Sequence, residues 1–197
     1  MISVEDKIEK SIKSKPRGTL LFADDFSEYG SPEAVRQALK RLNEQKVITR
    51  IAQGIYVRPQ QSEFIGEIMP SVEDVAQAIA KRDKIKIIPT GTHALNLLGL
   101  STQIPLNLVY LTDGAPREIR IGNRSIKLKK TTPKNLMAKG KISKLAIQAL
   151  REIGQKELTE ELKLKVIELL KQENKKELAY DISLAPVWIR KIMKQAI

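Results

Sequence analysis

Arg50, Gln53 and Arg58 fall in one short stretch, VITRIAQGIYVRP (residues 47–59), which turns at Gly54 and contains no Asp or Glu. Guanidinium forks and a carboxamide supply N–H donors. With no acid nearby, they suit the oxygens of phosphates and the edges of bases. Just upstream, residues 32–45 read as a helix with Arg36, Gln37, Lys40 and Arg41 opposite the apolar set Val35, Ala38, Leu39 and Leu42. Arg grips guanine bidentately and Gln grips adenine, so Arg36 and Gln37, in the first half of the helix, are the candidate base readers. Lys40 and Arg41 suit phosphates. Ser31, the N-cap, stands at the same end and is grouped with them. An ordinary solvated helix face, with Glu33–Gln37 and Lys40–Glu44 pairing, would use the same residues. The hairpin decides between the two. Gln53 and Gly54 form its tip, Arg50 and Arg58 its flanks, and together they are expected to act as a wing along the minor groove.

A second basic cluster lies further on. Residues 111–145 hold ten Lys/Arg against two Asp/Glu, in a chain of net charge +12. In REIRIGNRSIKLKK, alternation puts Glu118, Arg120, Lys127 and Lys129 on one face of a hairpin and Ile119, Ile121, Ile126 and Leu128 on the other. Arg117, Arg124, Lys130 and Lys134 extend the basic face. A field source of this kind points to a polyanion: flanking DNA, or RNA or a nucleotide. The N-terminus of a helix starting at Pro133 would add free N–H groups beside it. Plain solubility is the competing use of the same charges.

Catalytic chemistry finds little to work with. The single histidine, His93, has no cysteine and no GxSxG serine as a partner, and PTGTH lacks the Lys-Ser/Thr of a phosphate loop. A structural His93 is expected. Adjacent Asp24 and Asp25 diverge, so no metal site, no cofactor and no enzyme activity are expected. With no cysteine there is no disulfide framework. No run of about 18 apolar residues predicts a membrane span, and the charged N-terminal segment does not resemble a signal peptide. The expectation is a cytoplasmic protein.

The elements that would position these residues follow from the pattern. Residues 3–13 form an amphipathic helix (Val4, Ile8, Ile12). TLLF is a strand, and ADDFSEYG is a brief helix closed by Gly30 in the left-handed region. Ser31-Pro32 starts the helix to about residue 45. This layout, ended by the hairpin, is that of a winged helix-turn-helix domain over residues 1–62. QQSEFIGEIMPS reads as a linker. Residues 68–197 then form a mixed α/β domain with C-terminal helices. It holds a helix from Ser71 to about 82, strands KIIP and LNLVYLT, and a helix in TGTHALNLLGL. The basic hairpin turns at Gly122-Asn123, and helices follow over 143–153, 159–171 and from Pro186. The fold class is α+β.

KPRGTLLFADDFSEYGSPEAVRQALKRLNEQKVITRIAQGIYVRP resembles the winged-helix N-terminus of AbiEi-type antitoxins from abortive-infection (type IV) toxin–antitoxin systems. The likeness continues through IIPTGTHALNLLGLSTQIPLNLVYLTDGAPREIRIGNRSIKLKKTTPKNL and GKISKLAIQALREIG, and weakens in the last helices. RIAQGIYVRP and PTGTHALNLLGLSTQ are its most distinctive pieces. The resemblance implies phage defence by a repressor that binds double-stranded DNA at its own promoter. It also implies a second domain that antagonises a co-encoded nucleotidyltransferase-like toxin without a stable complex. The chain lacks a nucleotidyltransferase's constellation of Gly-Ser together with Asp-x-Asp/Glu. The alternative is a plain winged-helix transcription regulator whose second domain senses a ligand or dimerises.

Overall fold

The computed structural model describes residues 2–64 and 66–197. The chain is mixed α+β and forms two compact units, Met1–Ala78 with Ile119–Asn123, and Ile79–Glu118 with Arg124–Ile197.

In the first unit, α1 (Val4–Ser14) starts on a capping box: Ser3 Oγ accepts from Asp6 N at 3.1 Å and the Asp6 carboxylate accepts from Ser3 N at 3.0 Å. Strand β1 (Leu20–Phe22) leads into a 3₁₀ segment (Ala23–Tyr29), then α2 (Pro32–Glu44), β2 (Thr49–Ala52) and β3 (Ile55–Val57). The three strands form an antiparallel sheet in the order β1-β3-β2. Ile8 and Ile12 of α1, Leu21, Phe26, and Val35, Ala38, Leu39 and Leu42 of α2 pack with Ile48 and Tyr56 into one core. The apolar stripes read from spacing are the ones buried.

Two local expectations change. Gly30 has φ 173, which is extended backbone, so it does not close the preceding segment in the left-handed region. Its reason is space: a Cβ there would meet Val4 Cγ2 at 3.0 Å. The stretch read as a linker contains a short antiparallel hairpin, β4 (Gln60–Ser62) with β5 (Gly66–Ile68). Its polar composition hid this, because an exposed two-stranded pair needs no apolar alternation. Ile65, within that reading, lies outside the described residues.

Helix α3 (Val72–Asp83) starts on another capping box, Ser71 with Asp74. A four-stranded sheet runs in the order β6-β7-β9-β8, with β6 Ile87–Pro89, β7 Asn107–Thr112, β8 Arg117–Ile121 and β9 Arg124–Lys130; β6, β7 and β9 belong to the second unit. β6 pairs antiparallel with β7, and β7 pairs parallel with β9, Tyr110 opposite Leu128. Leu108, Tyr110, Ile126 and Leu128 are buried on one face. Gly122 takes φ 59 at the β8–β9 turn and Asn123 does not share the positive φ, so one glycine carries that turn. Pro133 begins only a single 3₁₀ turn (Pro133–Leu136). That is too short to sum peptide dipoles, so the anion site expected at its N-terminus has no physical basis.

Helices α4 (Thr92–Leu97), α5 (Lys141–Ile153), α6 (Glu160–Lys171), α7 (Lys175–Leu184) and α8 (Val187–Met193) complete the unit. Ala146, Ile147, Leu150, Val166, Ile167, Leu170, Leu178, Ile182, Ile189 and Met193 form the common core of α5 to α8. Helix α7 is absent from the sequence reading. Its apolar periodicity is weak, although Asn174 caps it by accepting from Lys176 N at 2.9 Å and Glu177 N at 3.3 Å. α5 starts two residues before the expected Ser143 because its cap comes from elsewhere in the chain. Glu173 accepts from Ile142 N at 2.6 Å and Ser143 N at 3.1 Å. Asp181, fully buried, accepts from Lys139 N and Gly140 N at 2.9 Å each, and from the Ser143 hydroxyl.

Asp181→Ala would strand one buried and one partly buried N–H donor and a buried hydroxyl. A loss of about 2–4 kcal/mol is expected, read as a lower urea midpoint at unchanged slope. A change under about 0.5 kcal/mol would show that water replaces the carboxylate there.

Candidate nucleic-acid interface

Every residue proposed to read bases lies on the outer face of α2. Ser31 accepts from Ala34 N at 3.3 Å and so starts the helix there. Arg36, Gln37, Lys40 and Arg41 are exposed. Arg36 pairs with Glu33 one turn back, and Gln37 Nε2 donates to the other Glu33 oxygen at 3.1 Å. These hydrogen bonds, Arg36's first, hold the Glu33 carboxyl below its ordinary pKa. Lys40 stands 3.9 Å from Glu44. Both pairings of an ordinary solvated face are therefore present. Exposed pairs of this kind exchange readily with solvent and contribute little, so Arg36, Gln37 and Lys40 remain accessible to a stronger anion. Arg41 is turned elsewhere: its guanidinium meets Glu5 of α1 at 3.3 Å, where Gln45 Nε2 also donates at 3.0 Å.

The hairpin divides its two arginines. Arg50 is exposed, beside a register shift between Arg50 and Ala52, and its backbone N–H donates to Asn43 Oδ1 at 2.8 Å. Gln53 is exposed at the tip, where Gly54 supplies φ 70 and its carbonyl accepts from Ala23 N at 3.0 Å. Arg58 is half-buried and donates to Lys13 O at 2.9 Å and to Lys15 O. It closes the C-terminal end of α1. The structure thus brings Arg58 to the helix end, away from the tip at Gln53-Gly54. Asn43 is the residue that sequence reasoning missed. It joins α2 to β2, and nothing in the spacing of a helix-terminal Asn identifies its partner seven residues on.

The second basic cluster divides in the same way. Arg117 pairs with Asp83, which also accepts from Arg82 Nε at 2.7 Å. Burial pushes the Asp83 carboxyl up, but the hydrogen bonds and charges of the two arginines outweigh it and hold the pKa low. Arg124 is half-buried and reaches Pro105 O at 3.3 Å. Arg120, Lys127, Lys129, Lys130 and Lys134 are exposed, as is Glu118. Lys127 and Lys129 lie opposite Val109 and Leu111 in the β7–β9 register, both partly buried. Their aliphatic stems can cover that apolar strip while the ammonium groups stay in water.

His93 is buried, its ring edge-on to Tyr110 at 5.3 Å and 82°. Among the described residues, no group of three or more His, Cys, Asp or Glu could hold a metal ion, and no helix is long and apolar enough to cross a membrane.

Comparison with known families matches residues 7–178 to the "Family of unknown function (DUF6088)", and the chain belongs to that family. No curated protein matches it.

The placement of the two hairpin arginines separates their effects. Arg58→Ala is expected to cost about 1–3 kcal/mol of stability, through the α1 carbonyls it leaves unmet. Arg50→Ala keeps the backbone bond to Asn43 and loses only a long side-chain bond to Ala52 O at 3.4 Å, so it is expected to stay within about 0.5 kcal/mol. Urea unfolding of both variants checks this; equal losses would contradict the assignment.

Proposed function

We propose that this member of the DUF6088 family is a cytoplasmic DNA-binding autoregulator whose first unit works as a winged helix-turn-helix. One observation carries the reading. A basic helix is joined through Asn43 to an acid-free hairpin, with Arg36, Gln37 and Lys40 exposed on one and Arg50 and Gln53 on the other. In this reading α2 enters the major groove, where Arg36 and Gln37 read base edges. Arg50 and Gln53 follow the adjacent backbone as a wing. Arg41 and Arg58 serve the fold and add positive field rather than direct contacts. The bound duplex replaces Glu33 as the partner of Arg36, exchanging a weak exposed pair for contacts to base edges and phosphates.

The resemblance to AbiEi-type antitoxins extends the proposal to the second domain. There the chain would antagonise a co-encoded nucleotidyltransferase-like toxin, and the basic face of β9 is the candidate surface. The alternative regulator, with a dimerising or ligand-sensing second domain, draws on a groove lined by Leu98, Leu100, Leu164 and Leu169. A toxin reading frame beside the gene favours the first reading, and its absence the second.

Gel-shift titration over salt concentration tests the DNA reading. Arg36→Ala should cost about 1–3 kcal/mol at the chain's own promoter and relax sequence preference. Arg50→Ala should weaken specific and non-specific duplexes alike and flatten the salt slope by about one unit. Unchanged affinity in both variants would sink the winged-helix proposal.

Charge reversal at Arg120, Lys127 and Lys129 in the full-length protein should abolish protection from the neighbouring toxin while leaving promoter repression intact. Growth rescue and a promoter reporter, run on the same variant, read the two activities. Loss of both together, or of repression alone, would show that the basic face is not a separate antitoxin surface.

A further inference from the structure

We propose that a small notch in the second unit binds the phosphate of a phosphate monoester, a nucleotide or the phosphorylated end of a nucleic acid. The notch is lined by Lys134, Asn135, Lys144, Gln148 and Arg151, with Ala138, Ile147 and Leu184 as its apolar wall. Three cations and two carboxamides line it, and no carboxylate is among the lining residues. Lys144, Gln148 and Arg151 recur at i, i+4 and i+7 along one stripe of α5, and Lys134 and Asn135 come from the 3₁₀ turn Pro133–Leu136. The site therefore stands on two elements, one of them a thirteen-residue helix.

Its side chains are held for the task. Arg151 Nη2 donates to Asn135 Oδ1 at 3.1 Å, and Asn135 Nδ2 donates to Thr131 Oγ1 at 2.8 Å. Asn135 orients the guanidinium but brings no charge to balance it. Desolvation lowers the Arg151 pKa. Gln148 is 3 % exposed, and its carbonyl accepts from the Thr90 hydroxyl at 3.4 Å. That leaves its amide N–H groups as donors toward the notch.

Size selects the ligand. The notch is small, about 10 Å³, the lower limit for one water-sized group. A monoester can insert one of its three free oxygens and leave the other two at the mouth. A diester inside a strand has only two free oxygens, flanked by sugars that the walls would exclude. The dianion also matches a site of three cations better than a monoanion does. This site shares Lys134 with the extended basic face but uses neither Lys127 nor Lys129, and it does not rest on the winged-helix proposal.

Calorimetric titration of the full-length protein with AMP tests it, with adenosine and inorganic phosphate as controls. AMP should bind, adenosine should not, and inorganic phosphate should compete. Lys144→Gln with Arg151→Gln should weaken AMP at least tenfold at an unchanged circular dichroism spectrum, while Lys127→Gln with Lys129→Gln leaves it unchanged. If the first pair fails to fold, Lys134→Gln, on an exposed 3₁₀ turn, must still weaken AMP severalfold. A 5′-phosphorylated oligonucleotide that outbinds its 5′-hydroxyl form identifies a nucleic-acid end as the source. AMP binding without that difference identifies a free nucleotide. AMP held no better than adenosine, or held equally by the notch variants, overturns the proposal. Duplex gel shifts with Arg36→Ala are unaffected by that outcome.

Discussion

The reversal of the chain between α2 and β2 sets the geometry of the first unit. Leu42 O accepts from Val47 N at 2.9 Å and from Ile48 N at 3.4 Å, so the last turn of the helix is closed by the residues that leave it. Lys46 takes φ 59 to make this possible, an αL closure of the kind glycine usually supplies. Three residues on, β2 begins, and Asn43 of the helix accepts from Arg50 of the strand. Helix and hairpin are thereby one rigid piece. The angle between the face carrying Arg36 and the strand carrying Arg50 is a property of this junction, and the core beneath it (Leu39, Leu42, Ile48, Tyr56) prevents it from opening.

Cations in this chain divide into those the fold uses and those it leaves to solvent. Arg58 on the α1 carbonyls, Arg41 on Glu5, Arg117 on Asp83 and Arg124 on Pro105 O are committed. All four are arginines. A planar fork with several donors can satisfy backbone carbonyls or a carboxylate while partly desolvated, which a compact, strongly hydrated ammonium does less well. The exposed basic face of β9 is lysine instead, at 127, 129 and 130. Net charge alone therefore overstates what is offered to a polyanion. Its accessible fraction is richer in lysine, which binds phosphate as a point charge rather than by shape.

In the second unit, carboxylates serve as remote caps. Glu173 and Asp181 satisfy the N–H groups of α5 and the loop before it, across some thirty to forty residues of sequence. An N-terminal turn would otherwise leave those donors unmet in a partly buried place. The same contacts tie α7 to α5, so the helix with the weakest apolar periodicity is fixed by polar bonds that only its docked position provides. The loop before α5 is thereby held from two sides, and the 3₁₀ turn carrying Lys134 and Asn135 immediately precedes it.

What the residues determined by themselves was local. Apolar spacing identified α1, α2 and α3, because a 3.6-residue stripe exists whatever it packs against. Ser31-Pro32, Ser71 and Thr159 marked helix starts, because a cap acts within one turn. Alternation separated Lys127 and Lys129 from Ile126 and Leu128, and Gly54 and Gly122 marked the two turns. Which arginines are free was not legible: Arg50 and Arg58 look alike in RIAQGIYVRP, and only the packed α1 end decides that Arg58 is consumed. The start of α5, the parallel pairing of β7 with β9, and the company Arg151 keeps with Lys134 and Lys144 were decided the same way. Each depends on groups distant in sequence, and a contact between distant residues leaves no period for a local pattern to carry.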